Sequence, residues 1–152
     1  QVKASLEYAG VPARALMLEI TETLLMGDDE QIWADLAVLQ ELGVRIAIDD
    51  FGTGYSSLGY LRQRPIDVLK IDKTFIDDMV GSEQQLALVA GIVSLAQTLQ
   101  LTVVAEGIED ANHRLILAQL GCPLGQGYYY SEPLDATEAL AWLRNPLPLA
   151  VA

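Results

Sequence analysis

Cysteine is nearly absent from this sequence. Cys122 stands alone, so no disulfide can form within the chain, and a reducing compartment is the natural setting. Histidine is as scarce: His113 is the single one, and with one cysteine it argues against a zinc site. Basic residues are few as well. Nine Lys and Arg against 21 Asp and Glu leave a formal charge of −12, which argues against non-specific binding of DNA, since that rests on cations at phosphates. A solvated, soluble surface accounts for the total charge, so only carboxylates in particular places carry further meaning. No apolar run approaches the roughly 20 residues of a membrane span. The opening Gln1–Glu7 is not a signal peptide; it has no methionine and reads as the middle of a helix. The chain is expected to begin inside a larger protein and to work in the cytoplasm.

What is present is an ordinary globular composition. The 152 residues are 51% apolar and 20% charged, enough for one domain with a sizeable core. Short apolar runs alternate with longer amphipathic stretches. Leu16–Ile20 predicts a strand. Ile32, Leu36, Leu39 and Leu42 recur at helical spacing before a stop at Gly43. Val44–Ile48 is a second strand, Val68–Ile71 a third and Leu101–Ala105 a fourth. Between the last two, Ser82 is placed to cap a helix that buries Leu86, Val89, Ile92, Val93 and Ala96. A helix over Ala111–Leu120 stops at Gly121, a short strand lies near Leu124–Gly127, and a last helix runs from about Ala136 to Leu143. The strands are almost continuously apolar, as in a parallel sheet covered on both faces. Five βα units fit either an open doubly wound sheet or most of a β/α barrel, and periodicity does not decide between them.

The polar residues recur at one place, the C-terminal ends of the strands. They are Glu19 and Glu22, Asp49 and Asp50, Lys70 and Asp72, Glu106 and Glu109, and Gln126. The βα loops of α/β folds converge there, which makes it the usual place for an active site. Carboxylates gathered at one mouth repel one another unless cations neutralise them, and all-oxygen ligands favour Mg²⁺ or Mn²⁺. Taken alone, Asp49-Asp50 reads more often as a turn or a helix cap. Here it closes a buried strand and runs into Phe51-Gly52-Thr53-Gly54-Tyr55-Ser56-Ser57-Leu58, a far more specific string. Lys70 could snorkel to the surface, but its apolar neighbours predict burial, where it would orient water or stabilise a phosphorane-like state. Glu106 also suits a helix N-terminus. His113 reads as a surface residue, and Tyr128-Tyr129-Tyr130 as packing along a rim.

Five strings together resemble the EAL domain family: Leu18-Glu19-Ile20-Thr21-Glu22, Asp49 through Leu58, Leu69-Lys70-Ile71-Asp72, Ala105-Glu106-Gly107-Ile108-Glu109 and Gly125-Gln126-Gly127-Tyr128. The resemblance covers essentially the whole chain. It implies a β/α barrel of the TIM type that hydrolyses c-di-GMP to linear pGpG with two Mg²⁺ or Mn²⁺ ions. By position, it implies Glu19, Asp49, Asp50 and Glu106 as metal ligands, with Asp49 bridging, and Lys70 as the holder of the attacking water. Glu22 would pin the loop of Phe51, Gly52, Thr53, Gly54, Tyr55 and Ser56. Glu109 and Gln126 would support the ligands or touch the substrate. A homodimer through the region from Asp50 to Leu61, and an upstream sensory or cyclase domain, are further expectations.

The departures concern the start. The family's Glu-Ala-Leu motif, its following Arg and a ligating Asn precede the region matching Leu18-Glu19, and only 17 residues stand before Leu18 here. Glu138-Ala139-Leu140 spells the motif but lies in the last predicted helix and reads as chance. Residues 1–152 are thus expected to be a partial domain, an incomplete barrel lacking its N-terminal strands and largely inactive alone. A non-catalytic c-di-GMP receptor and a dimerisation module are the alternative readings.

Overall fold

The structure is a computed structural model describing residues 1–25, 27, 30–52 and 58–144. Its strands are β1 (Met17–Thr21), β2 (Arg45–Phe51), β3 (Val68–Ile71), β4 (Thr102–Ala105) and β5 (Leu124–Gly125). They form one parallel sheet in the order β1-β2-β3-β4-β5, so each strand lies beside its predecessor in the chain. Leu18 sits opposite Ile46, Ile48 opposite Leu69, Leu69 opposite Val103 and Ala105 opposite Gly125. Among the described residues the sheet does not close, and β1 and β5 each pair on one side only.

The helices are α1 (Val2–Ala9), α2 (Glu22–Leu25), α3 (Glu30–Glu41), α4 (Leu58–Gln63), α5 (Lys73–Asp77), α6 (Glu83–Thr98), α7 (Ala111–Gln119) and α8 (Ala136–Arg144). The expected stops are in place: Gly43 and Gly121 take φ of 97° and 85°, the left-handed region that favours glycine. Ser82 caps α6, its hydroxyl accepting the N–H of Gln85, and Val89, Ile92, Val93 and Ala96 are buried, while Leu86, expected on the same face, is only half-buried. The core gathers Ile46, Ile48, Leu69, Ile71 and Ile76 with this face of α6. All four residues of β3 are buried, so both faces of the central strand are covered.

The expectation for the histidine fails. His113 is buried, with only 7% of its surface exposed. It lies one turn before Leu117 on α7, also buried, and residues four apart share a helix face. The mixed polarity of the helix hid that face. Helices α2, α4 and α5 were also absent from the expected pattern, being too short to show a period.

Candidate functional site

The strand-end residues converge around one lysine. Lys70 lies in β3, its side chain 4% exposed, and its Nζ meets Glu19 Oε2 at 2.9 Å, Asp49 Oδ1 at 2.8 Å and Glu106 Oε1 at 2.6 Å. These three partners come from β1, from β2 and from the end of β4, so neighbouring strands each supply one. Burial works against the ammonium charge, but the hydrogen bonds to Asp49, Glu106 and Glu19 outweigh it and hold its pKa above that of an ordinary lysine. The lysine is therefore a fixed cation at neutral pH. Its partners become wetter toward the sheet edge: the side chains of Glu106, Asp49 and Glu19 are 14%, 26% and 41% exposed.

Asp49 and Asp50 are adjacent, and in a regular strand they would point to opposite faces. They do not, because the ladder between β2 and β3 shifts register between Ile48 and Phe51 and Asp50 takes φ of 55°. Carboxylate oxygens of Asp49, Asp50 and Glu106 consequently lie within 4.8 Å of one another. Burial, then the charges of Asp49 and Asp72, push the Asp50 pKa up. Burial also raises that of Glu106, against the opposing pull of Lys70. Crowded carboxylates of this kind fit a hard cation. The donor set is all oxygen, and Lys70 and Gln126 both engage the same Glu106 oxygen, Oε1.

The surrounding groups are tied to this centre. Gln126 donates from Nε2 to Glu106 at 2.8 Å. Glu22 is buried and its Oε2 accepts the N–H of Gly52 at 2.9 Å, which anchors the chain just after β2. Gly52 has φ of 102°, and a Cβ there would lie 2.6 Å from the Phe75 ring, so only glycine fits. Phe51 is buried. Thr53, Gly54, Tyr55 and Ser56 lie outside the described residues, as does that part of the expected dimer region. Asp72 caps α5 by accepting the N–H of Thr74.

Beside Glu106 opens a cavity of about 450 Å³, lined by Lys73, Glu106, Glu109, Gln126, Tyr128 and Glu132 among others. Glu109 pairs with Lys73, which sequence reasoning passed over. The signal was present in Lys70-Ile71-Asp72-Lys73, where a second cation follows the first by three residues, and in the glycine directly after Glu106. Tyr128 is exposed at the cavity rim, while Tyr129 and Tyr130 pack edge to face and rest on the core. Glu138-Ala139-Leu140 lies in α8, which buries no residue.

The profile of the EAL domain matches residues 1–133. The chain is 45% identical over 144 residues to "Cyclic di-GMP phosphodiesterase NbdA" of Pseudomonas aeruginosa, covering 95% of this chain and 18% of that protein. The EAL domain of Mycobacterium smegmatis DcpA superposes with a TM-score of 0.88 at 37% identity, over 94% of this chain and 64% of that one. Klebsiella pneumoniae BlrP1, in a manganese and c-di-GMP complex, gives a TM-score of 0.80 at 36% identity, over 87% of this chain and 34% of that one. A calcium and c-di-GMP complex of BlrP1 matches similarly, with a TM-score of 0.79. The chain spans about a fifth of the length of the curated relatives it matches.

Proposed function

This chain belongs to the EAL domain family, and from that premise we propose that it is part of a metal-dependent phosphodiesterase that hydrolyses c-di-GMP to linear pGpG. The observation that carries the reading is Lys70, the one buried lysine or arginine among the described residues, ringed by Glu19, Asp49 and Glu106 with Asp50 alongside. Asp50, Lys70 and Glu106 sit beside the C-terminal ends of β2, β3 and β4, with Asp49 just before Asp50, while Glu19 lies at the middle of β1.

Glu19, Asp49, Asp50 and Glu106, with Asp49 shared, would hold two ions, Mg²⁺ or Mn²⁺, that acidify a water and offset charge on the phosphate. Lys70 would orient that water, its ammonium kept charged by the surrounding carboxylates. Glu22 would fix the turn at Gly52, and through it the loop that follows. Gln126 would align Glu106, and Glu109 would stand on the substrate side of the mouth. The same reading carries a cytoplasmic location, a homodimer through the region from Asp50 to Leu61, and a neighbouring sensory or cyclase domain in the protein.

The chain by itself is expected to turn over little. Residues 1–152 are read as the later βα units of the domain, and Glu19 stands on an edge strand with 41% of its side chain in solvent. Water there weakens the electrostatic stabilisation that a closed site supplies. Chromatographic separation of pGpG from c-di-GMP, after incubation with Mn²⁺, tests the reading in the chain and in whatever longer product its gene encodes. Turnover in the longer product, reduced at least a hundredfold by Asp49→Asn, is expected. No turnover in either, with nucleotide binding kept, would replace the enzyme reading with a receptor.

A further inference from the structure

We propose that Lys73 is a binding residue for the second phosphate of the dinucleotide, the one that is not cleaved, and that Glu109 holds it ready. The inference rests on the reading of the site as a c-di-GMP site. A cyclic dinucleotide carries two phosphodiesters, each with one negative charge. The cluster around Lys70 serves one of them. The cavity beside it is lined by Glu106, Glu109 and Glu132, an acidic wall that repels the other. Among the described residues lining that cavity, Lys73 is the one cation.

Its placement is built. Lys73 opens α5 directly after Asp72, and its stem crosses the chain at Gly107, just past the end of β4. A Cβ on Gly107 would lie 2.3 Å from Lys73 Cγ and 2.7 Å from its Cβ, so the absence of a side chain at 107 is what lets the lysine pass. Gly107 also has φ of 69°, a conformation glycine adopts without strain. The ammonium then reaches Glu109, with Asp77 farther off at 3.9 Å. Both members of the Lys73–Glu109 pair have side chains 48% exposed. An exposed ion pair contributes little, so stability gives little reason for the arrangement and an arriving phosphate separates the pair at small cost. Lys73 differs in this from Lys70, which is buried among three carboxylates.

Calorimetric titration of c-di-GMP in calcium, on the chain and on any longer gene product, tests the inference. Lys73→Met is expected to weaken binding about tenfold and to make it less sensitive to NaCl, while Lys73→Arg stays within about threefold. In a product that turns over, Lys73→Met raises KM with kcat unchanged, because a phosphate that does not react is held equally before and during the reaction. Wild-type binding by Lys73→Met overturns the inference. Absence of c-di-GMP binding by the unmodified protein instead removes the reading of the site, and this inference with it.

Discussion

The middle of the sheet and its two edges are made of similar residues and live in different surroundings. Every residue of β3 is buried, as are Ile46, Ala47 and Ile48 of β2. On β1, Glu19 and Thr21 are exposed and Met17, Leu18 and Ile20 are only half covered, and neither residue of β5 is buried. The helices divide the same way: α6 buries four residues, α1 and α8 none. A strand with two neighbours has both ladders satisfied and both faces packed; an edge strand has half of that. Stability is therefore concentrated in β2 to β4 with α6. The candidate site straddles the boundary, with Lys70 on the inside and Glu19 at the rim.

Shortening one side chain in each region tests this contrast most strongly. Ile71→Ala in β3 is expected to cost about 4 kcal/mol, and Leu18→Ala in β1 about 1 kcal/mol, by urea unfolding. Equal losses would erase the distinction. Next in size is Lys70→Met, which leaves three carboxylates without their cation and should cost about 3 kcal/mol in chelator. Mn²⁺ is expected to recover much of that loss, since it would neutralise the same oxygens. Thermal melts that ignore Mn²⁺ would count against a metal site.

Cys122 gives the gentlest probe, because it lies just before the edge strand β5 and is nonetheless buried. Burial pushes its thiol up to about 11. At pH 8 the native thiol should alkylate about a hundredfold more slowly than in urea, where the ordinary value of about 9 returns. Fast alkylation would mean that the β5 side opens readily. The sign of the pH effect follows. Between pH 9 and 11 the unfolded chain ionises this thiol while the folded chain keeps it protonated, so stability falls across that window.

The same contrast explains what the sequence made legible. Val68–Ile71 shows its boundaries because a fully buried strand is an apolar run bounded by polar residues. The helix capped by Ser82 is legible because sixteen residues repeat one face several times. Helices α2, α4 and α5 are four to six residues long and repeat nothing. At the site, the strand-end carboxylates and Lys70 could be named in advance, since position at the end of an apolar run is visible in one dimension. The convergence of Asp49 and Asp50 could not, because it depends on a register shift in the ladder with β3. Lys73 was hidden for a similar reason: its meaning depends on Gly107, 34 residues away, and on the cavity both help to form.

The strand order has one more consequence, for how the chain folds. Because β1 to β5 lie side by side in chain order, every ladder joins strands that follow one another in sequence, which keeps contact order low for a parallel sheet. No strand waits for a later one to be inserted between it and its neighbour. Each successive unit places its polar residues at the same mouth as the unit before it. The chemistry at that mouth is thus drawn from successive units of the chain, Glu19, Asp49, Lys70 and Glu106 in sequence order.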